Sequence, residues 1–407
     1  MKYTRAAFFM AMAVTAAHAK KLNKPWGGNN DVDGDNCPII DVVECGETYT
    51  EGIISLVQDL ICGNTTEVDN TSNAPITLNG TVVLDCNGHT ISQVTESIGS
   101  AVECEPSRTL PSSQRNLDIK QTCGLLYING LIVMGGATAR NCNIQRFYRG
   151  ADIDGEGSIE DSDINLNAIG MQIGTFRAPN GMAKVVRTNT YNNGRGGLGV
   201  FQGNDDDTKV LIEDVTSKNN GNAGMQLTGT GITVRNVEVT YSGAGGRAGI
   251  SIRDDAQTNA FTEINFEGTI LSHSNVNSGV DISDKDTTKP VNGTVSISAN
   301  LKTYNNGLNG LGIESGSLLD VMVEKGGSIT ACNNGGNTAI PDDRADIFNN
   351  GTGTIGGLPK YVCDSTGGIG DLPDCKPCPP CYSPLKSPPY AYGKGRGRKD
   401  EFDEWFY

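Results

Sequence analysis

Residues 190–200 read TYNNGRGGLGV, and residues 217–227 read SKNNGNAGMQL. Each stretch holds an Asn-Asn-Gly turn and then a glycine that opens the pattern glycine, apolar, any residue, apolar. In a β-strand, residues two apart point to the same face, so the apolar pair faces a core and the residue between them faces outward. The two stretches have the same order and lie 27 residues apart, which indicates a repeat.

The same glycine motif returns through the middle of the chain. Its intervals are 26, 20, 27, 27, 25, 30, 31 and 34 residues, which is typical of a solenoid whose turns vary in length. The copies begin at Gly124, Gly150, Gly170, Gly197, Gly224, Gly249, Gly279, Gly310 and, in degenerate form, Arg344. The middle residues form an outward column that includes Asp152, Gln172, Gln226, Ser251, Asp281 and Asp346.

Asn-Gly pairs also occur in type I′ hairpin turns, so an antiparallel sandwich is the main alternative. The segments on either side of each turn differ consistently and keep one order, which favours parallel coils. A leucine-rich solenoid is excluded because its L-x-x-L-x-L frame is missing. We therefore predict an all-β protein, a parallel β-helix, in which asparagines at successive turns bond to one another along the axis. Ile250 and Ile252 should be buried, and Ser251 and Arg253 exposed.

The two ends of the chain differ from the repeats. Residues 1–19 have a basic start, an uncharged apolar run and an Ala17-His18-Ala19 ending, which predicts a secretory signal peptide. Residues 20–44 form an acidic linker, residues 45–372 the β-helix with its N-terminal cap, and residues 373–407 a disordered tail rich in proline, cysteine and charge. We expect the chain from about Pro373 onward to lack packing against the solenoid.

The remaining twelve cysteines are an even number, and in an exported chain they indicate disulfides. Zinc binding by Cys363, Cys375, Cys378 and Cys381 is the alternative on spacing alone. Five N-x-[ST] motifs make a glycoprotein plausible in a eukaryotic host. These are Asn64, Asn70, Asn79, Asn292 and Asn350.

Two stretches carry a resemblance to a known superfamily. They are residues 76–91, ITLNGTVVLDCNGHTI, and residues 133–153, with Arg140-Asn141-Cys142 and Arg149-Gly150. They resemble the opening coils of the pectate-lyase-like superfamily, and above all its secreted right-handed β-helix repeat proteins. The resemblance covers residues 45–350 and implies a right-handed solenoid with a link to extracellular carbohydrate. It rests on residues that form the fold, and by itself it specifies no reaction.

The charge of the chain bears on its partners. The formal net charge is −15, and the chain without residues 1–19 carries −17 and no basic stripe. Nucleic acid is therefore excluded as a partner, because its phosphates require lysine and arginine. No apolar stretch after the signal peptide is long enough for a membrane span. We expect a secreted, extracellular protein whose partner is an extracellular polysaccharide or a cell-surface component.

The acidic stretch near the N-terminus is a candidate metal site. Asp31, Asp33 and Asp35 alternate as carboxylates do in calcium-binding loops, but the glycine and glutamate of an EF-hand are missing. Calcium is thus the only cofactor that the sequence suggests, and a solvated acidic linker is the alternative.

The candidate catalytic residues come from alignment of the coils on their glycines. Adjacent coils lie about 4.8 Å apart, so charged residues at matching positions should share one surface. Carboxylates that lie side by side can differ in pKa, so that one acts as an acid while the other is ionised. The alternative is a solvent-facing column of charged side chains that has no catalytic role. The residues are Arg253, Asp254, Asp281, Asp284, Lys285 and Glu314.

Two functions remain open. The first is a lyase, epimerase or hydrolase that acts on an acidic polysaccharide along the outer face of the β-helix. The second is a non-catalytic surface or matrix protein that binds glycans or partners through its repeats. Polygalacturonase-type hydrolases carry N-T-D, D-D, G-H-G and R-I-K motifs. This chain has Asp-Asp pairs but no G-H-G and no R-x-K in the right order, which argues against that hydrolase activity.

Overall fold

The computed structural model describes residues 39–40, 43–62, 74–93, 128–174, 181–201, 209–253, 262–283, 292–314, 317–335, 345–357, 361–368 and 373–379. These residues contain strands, turns and irregular segments, and every strand pairing is parallel. The right-handed parallel β-helix that the sequence predicted is confirmed. None of the described residues belongs to a helix long and apolar enough to cross a membrane.

The strands in chain order are β1 (Ile39–Ile40), β2 (Glu47–Ser55), β3 (Leu60–Cys62), β4 (Ile76–Asp85), β5 (Thr90–Gln93), β6 (Asn129–Met134), β7 (Thr138–Arg140), β8 (Asn143–Gln145), β9 (Arg149–Asp154), β10 (Ser158–Glu160), β11 (Asp163–Asn165), β12 (Ile169–Gly174), β13 (Met182–Val186), β14 (Asn189–Tyr191), β15 (Leu198–Phe201), β16 (Lys209–Glu213), β17 (Thr216–Lys218), β18 (Met225–Thr228), β19 (Ile232–Thr240), β20 (Ile250–Arg253), β21 (Thr262–His273), β22 (Val280–Ser283), β23 (Asn292–Ile297), β24 (Asn300–Tyr304), β25 (Leu311–Ile313), β26 (Leu318–Val323), β27 (Ser328–Cys332), β28 (Ile347–Asn349), β29 (Ile355–Gly357), β30 (Tyr361–Cys363) and β31 (Thr366–Gly368).

The pairings sort these strands into three sheets that run the length of the solenoid. Sheet A holds the first part of β2 and of β4, followed by β6, β9, β12, β15, β18, β20, β22, β25, β28 and β31. Sheet B holds β1, the later part of β2 and of β4, then β7, β10, β13, β16, the first part of β19 and of β21, β23, β26 and β29. Sheet C holds β3, β5, β8, β11, β14, β17, the later part of β19 and of β21, β24, β27 and β30.

The core fills the space between the three sheets. The apolar pairs of the glycine motif point into it, and Ile250 and Ile252 are buried as predicted. Strands with one face inside and one face outside explain the alternation seen in the sequence. Because each coil packs only on its neighbours, the register of every coil is fixed by the coil before it.

The register adds a copy of the glycine motif that the sequence analysis did not include. Leu131 and Val133 pair with Ala151 and Ile153, so the first copy begins at Gly130, 20 residues before Gly150. The predicted copy at Gly124 lies outside the described residues. The motif Gly130-Leu-Ile-Val was present in the sequence and was overlooked.

The last copy is shifted by two residues. Leu311 pairs with Ile347, so Phe348 rather than Asp346 takes the outward place beside Gly312. Asp346 lies one position before the strand and is buried. Its Oδ1 accepts hydrogen bonds from the backbone and the side-chain amide of Asn334, at 3.0 and 2.9 Å. The prediction that Asp346 faces outward is therefore wrong, because its carboxylate is needed inside the turn.

The predicted asparagine ladder is confirmed. The Asn193 side chain donates to Asn220 at 3.0 Å, and the Asn306 side chain donates to Asn334 at 2.9 Å. The first asparagine of each Asn-Asn-Gly turn has a left-handed backbone, with φ near +56°, a conformation that asparagine tolerates better than most residues. The second asparagine is buried at Asn193, Asn220 and Asn306 and half-buried at Asn334, and it carries the inner ladder. The first asparagines also bond from coil to coil in a more exposed outer row, Asn219 donating to Asn192 at 2.7 Å and Asn333 to Asn305 at 2.6 Å.

Four disulfides join described cysteines. Two of them lie near the N-terminal end, Cys45–Cys62 and Cys86–Cys142. The other two, Cys332–Cys378 and Cys363–Cys375, bind residues 373–379 to the last coils. The prediction of disulfides over zinc is confirmed for Cys363, Cys375 and Cys378. The prediction that the chain lacks packing from about Pro373 is wrong for residues 373–379, and residues 380–407 lie outside the described part.

Candidate functional site

The structure brings together three of the six predicted site residues. Arg253 ends β20, Asp281 is the second residue of β22, and Glu314 follows β25 directly, so they lie on three successive coils of sheet A. Asp254, Asp284 and Lys285 lie outside the described residues. Asp31, Asp33 and Asp35, the predicted calcium ligands, lie outside them as well.

The strand register positions these residues on the outer face. Ser251, Asp281 and Gly312 follow one another at matching positions of β20, β22 and β25. A Cβ atom on Gly312 would lie 3.4 Å from Asp281 Oδ1, in ordinary van der Waals contact. The coil that follows Asp281 therefore has no side chain at the position beside the Asp281 carboxyl group.

Asp281 has an unusual electrostatic environment. Burial, followed by the negative charge of Glu314, raises the pKa of the Asp281 carboxyl to about 7, and the nearby Arg253 charge opposes the rise. A hydrogen bond with the Glu314 side chain raises the Asp281 pKa further, because it favours the protonated form of Asp281. The Oδ1 atom is buried and has no hydrogen-bond partner among the described residues. The pair therefore holds a proton near neutral pH.

Ser251 departs from the prediction. We expected it to be exposed, but it is 0% exposed, whereas Arg253 is half-buried. Ser251 is a small residue between Gln226 and Asp281 in the outward column, and Arg253 Nε donates to its Oγ at 3.1 Å. The larger neighbouring side chains therefore cover the serine. This contact also holds the Arg253 guanidinium next to the carboxyl pair.

A second arginine on this face was missed by the sequence reasoning. Arg247 is only 5% exposed, and its guanidinium donates to Gln226 Oε1, in the outward column one coil before Ser251. Arg247 lies in the turn before Gly249, not in the strand. Alignment on the glycines compares strand positions, so it gave no signal for a turn residue that folds back over the sheet.

Further along sheet A, the outer face carries other polar groups. Arg149 Nη1 lies 3.5 Å from Asp152 Oδ2, and Arg195 Nη1 donates to the Tyr148 hydroxyl at 3.1 Å. Between the two polar regions the Phe201 ring lies over Gly199, where a Cβ atom would be 2.5 Å from the ring. The face thus combines charged groups, hydroxyls and an aromatic ring.

One group of potential metal ligands exists among the described residues. Ligand atoms of Asp346, Asp364 and Cys378 lie within 4.8 Å of one another. However, Cys378 is bonded to Cys332 and offers no thiolate, and Asp346 accepts hydrogen bonds from the backbone of Asp364 and Ser365 as well as from Asn334. This donor set suits a structural carboxylate and fits a bound metal poorly.

No protein-family model and no curated protein sequence matches this chain. Solved structures match it by shape. The catalytic domain of Agl-KA matches with a TM-score of 0.52 and 16% identity, over 81% of this chain and 57% of that one. The A-module of the mannuronan C-5 epimerase AlgE4 of Azotobacter vinelandii matches with a TM-score of 0.47 and 11% identity, over 80% of this chain and 90% of that one.

A GH87 alpha-1,3-glucanase from Streptomyces thermodiastaticus strain HF3-3 matches with a TM-score of 0.43 and 16% identity, over 78% of this chain and 64% of that one. This chain spans only 57% of the Agl-KA catalytic domain. At 16% identity, the likeness to the Agl-KA catalytic domain bears on the fold alone. The chain therefore has the right-handed parallel β-helix fold that the resemblance to the pectate-lyase-like superfamily predicted.

Proposed function

We propose that this protein acts on an acidic polysaccharide outside the cell, by proton transfer at the Asp281–Glu314 pair beside Arg253. The observation that carries this proposal is a hydrogen-bonded carboxyl pair in which the pKa of Asp281 is raised to about 7. A catalytic acid works best when its pKa lies near the working pH. The signal-peptide pattern and the disulfides support the extracellular setting.

Each group has a defined role in this chemistry. Arg253 binds the carboxylate of a uronate residue, which makes the proton on the neighbouring carbon easier to remove. The ionised Glu314 carboxylate takes that proton, the electron pair forms a carbon–carbon double bond, and the bond to the glycosidic oxygen breaks. Protonated Asp281 gives its proton to the leaving oxygen. Return of a proton to the carbon from its opposite side would instead give epimerisation.

The spacing of the pair distinguishes among the predicted reactions. Glycoside hydrolases use two carboxyl groups about 5 Å or more apart, because a sugar carbon or a water lies between them. Asp281 and Glu314 are joined directly by a hydrogen bond, so they are too close for that arrangement. The pair therefore supports a lyase or an epimerase over a hydrolase.

Glycan binding without catalysis is the second candidate. It is favoured by the buried Arg247–Gln226 contact and the Arg253–Ser251 contact, which fix two cationic side chains on the outer face of sheet A. Such fixed guanidinium groups suit carboxylate recognition whether or not a reaction follows.

The proposal also includes the predicted residues outside the described part. Asp254, Asp284 and Lys285 would belong to the same catalytic site, and calcium would be bound by Asp31, Asp33 and Asp35.

Turnover of uronate polymers by the purified protein tests the proposal. Ultraviolet absorbance of the unsaturated product reports a lyase, and uptake of solvent deuterium at the sugar carbon reports an epimerase. We expect Asp281→Asn and Glu314→Gln each to lower turnover by about 100-fold or more, because each removes one proton-transfer group. Arg253→Ala should weaken binding as well as turnover.

The matched control is Glu263→Gln, an exposed carboxylate on sheet B that should leave turnover unchanged. Binding by the parent without turnover, retained in Asp281→Asn and lost in Arg253→Ala, would establish the non-catalytic alternative. Equal turnover in the parent and in both carboxyl variants would reject the acid–base pair.

A further inference from the structure

A notch lies beside the Asp281 carboxyl, at the position that a Cβ atom of residue Gly312 would take. That position is 3.2 Å from Asn309 Nδ2 and 3.4 Å from Asp281 Oδ1. A single non-hydrogen atom placed there is therefore within reach of both polar atoms. We call this position, which is bordered by Gly312, Asn309 and Asp281, the Gly312 notch.

The two polar atoms that border the notch have no other hydrogen-bond partner in the part of the chain that the structure describes. Asn309 is only 2% exposed, and its Oδ1 accepts a hydrogen bond from the Ala345 backbone N–H at 2.9 Å. This contact fixes the orientation of the amide, so that Nδ2 faces the notch. Neither this Nδ2 nor the buried Asp281 Oδ1 is paired with a described residue. A buried polar atom without a partner costs stability, so both atoms favour a ligand that bonds to them.

The chemistry of the two atoms limits what the notch can bind. Asn309 Nδ2 is a donor, and Asp281 Oδ1 is an acceptor, because the Asp281 proton is engaged in the hydrogen bond with Glu314. The ligand must therefore accept from one atom and donate to the other. A hydroxyl group does both through a single oxygen, whereas a carboxylate cannot donate and a metal cation is opposed by the amide N–H groups.

We propose that the Gly312 notch binds one hydroxyl group, which donates to Asp281 Oδ1 and accepts from Asn309 Nδ2. The hydroxyl belongs either to a water molecule or to a sugar of the substrate, and the second source rests on the proposed function. Any side chain in place of Gly312 would fill the notch. Asn309 is then a positioning residue that orients the hydroxyl against the Asp281 carboxyl.

Carbon-13 NMR titration of the Asp281 carboxyl, without any glycan, tests for bound water. Gly312→Ala puts a methyl group in the notch and removes a hydrogen bond that favours the ionised carboxyl, so the Asp281 pKa should rise by about 0.5 unit or more. Comparison with Asp281→Asn assigns the signal.

The matched control is Gly367→Ala, two coils further along the same outward column. Its Cβ atom would lie 3.4 Å from Ala345 Cβ, in a similarly close but apolar contact. This variant should keep the Asp281 pKa of the parent.

Calorimetric binding of uronate oligomers tests for a sugar hydroxyl. The probes are tetramers of galacturonate, mannuronate and guluronate, each titrated into the parent and the two glycine variants. Gly312→Ala should raise the Kd of the bound tetramer by about 10-fold, because a buried hydrogen bond is lost, and Gly367→Ala should leave it unchanged. A change in the Asp281 pKa alone identifies water as the source, and a change in Kd identifies the sugar.

Crystal structures of the parent, free and with the bound tetramer, make the test independent of how well the variants fold. An oxygen atom within about 3.2 Å of both Asn309 Nδ2 and Asp281 Oδ1 is expected in at least one of them. If no tetramer binds, the proposed function fails, and the Asp281 pKa and the free crystal structure decide the fate of the notch. An Asp281 pKa and a Kd that both match the Gly367→Ala control, or no ordered oxygen at that position in either crystal, would overturn the proposal.

Discussion

Asp281 shows how one outward-facing residue can differ from the rest of its column. Its neighbours in register are Ser251, which is covered, and Gly312, which has no side chain. Glu314 approaches from the next coil and Arg253 from the previous one. A carboxyl that is desolvated and next to a second carboxyl favours its protonated form, and one arginine only partly offsets this.

The raised pKa of Asp281 makes stability depend on pH. Its pKa is about 7 in the folded protein and near the ordinary value of 3.8 when unfolded. The folded state therefore binds more protons between these values, and the stabilisation from Asp281 is present below about pH 4 and is lost as pH rises to 7. Urea unfolding at pH 4.5 and 7.5 should show the parent losing about 1 kcal/mol or more relative to Asp281→Asn over this interval.

The Glu263→Gln variant serves as the reference for charge effects elsewhere on the molecule, and it should follow the parent at both pH values. A parent that gained stability relative to Asp281→Asn on going to pH 7.5 would show that the Asp281 pKa is lowered, which contradicts the environment described above.

At the scale of elements, two kinds of column hold successive coils in register. Inside the turns between sheets C and A runs the asparagine ladder, which Asp346 ends. Outside, at the corner of sheets B and C, charges alternate along the axis. Arg140 pairs with Asp85 at 2.9 Å, and Arg235 pairs with Glu213 and Glu267 at 2.8 and 2.5 Å. The exposed pairs contribute little stability individually, whereas the buried amides have no water to replace a lost partner.

The ladder should therefore be sensitive to Asn306→Ala. Asn306 is 1% exposed; its side-chain oxygen accepts from the backbone and side chain of Asn275, and its amide donates to Asn334 and to Ser272 O. Loss of the Asn306 side chain leaves several buried groups unpaired. We therefore expect the free energy of unfolding, measured in urea, to fall by about 2–3 kcal/mol.

Asn305→Gly is the matched control one residue earlier. Asn305 has φ +57°, which glycine adopts readily, and its half-buried side-chain oxygen accepts a hydrogen bond from Asn333 at 2.6 Å that water can replace. This variant should lose less than about 1 kcal/mol. Equal losses in the two variants would mean that the turn as a whole, and not the buried ladder, provides the stability.

At the scale of the whole molecule, the described coils form a one-dimensional stack that has two unlike ends. Each coil contacts mainly the coils before and after it, so stability is approximately a sum over neighbours, and the terminal coils have only one neighbour. At the C-terminal end, Asp346 ends the ladder and residues 373–379 cover sheet C. The edge strands β29 and β31 are three residues long and contain glycine, which limits pairing at the other two sheets.

Truncation separates the two parts of the C-terminal segment. A chain ending at residue 383 keeps residues 373–379 and their two disulfides, so its melting temperature should match that of the parent. A chain ending at residue 372, with Cys332 and Cys363 as serine, loses both crosslinks and should melt several degrees lower, because a disulfide of this kind contributes about 2–4 kcal/mol. A large loss in the longer truncation would show that residues beyond 383 stabilise the fold.

The sequence by itself determined the conformation of the repeated β-helix coil. The glycine motif, the period of the repeat and the Asn-Asn-Gly turns were enough to predict a parallel β-helix, its inward residues and its ladder, because these depend on local geometry repeated at each coil. It also predicted that Arg253, Asp281 and Glu314 share one face. Only the tertiary structure decided what depends on neighbouring coils.

Four features belong to this second group: the burial of Ser251, the position of Arg247 over sheet A, the two-residue shift at Asp346 and the docking of residues 373–379. Each follows from which groups lie opposite one another on neighbouring coils. The pattern within a single repeat does not predict such contacts. It specifies which face a residue occupies, but not the size or charge of the side chains that cover that residue.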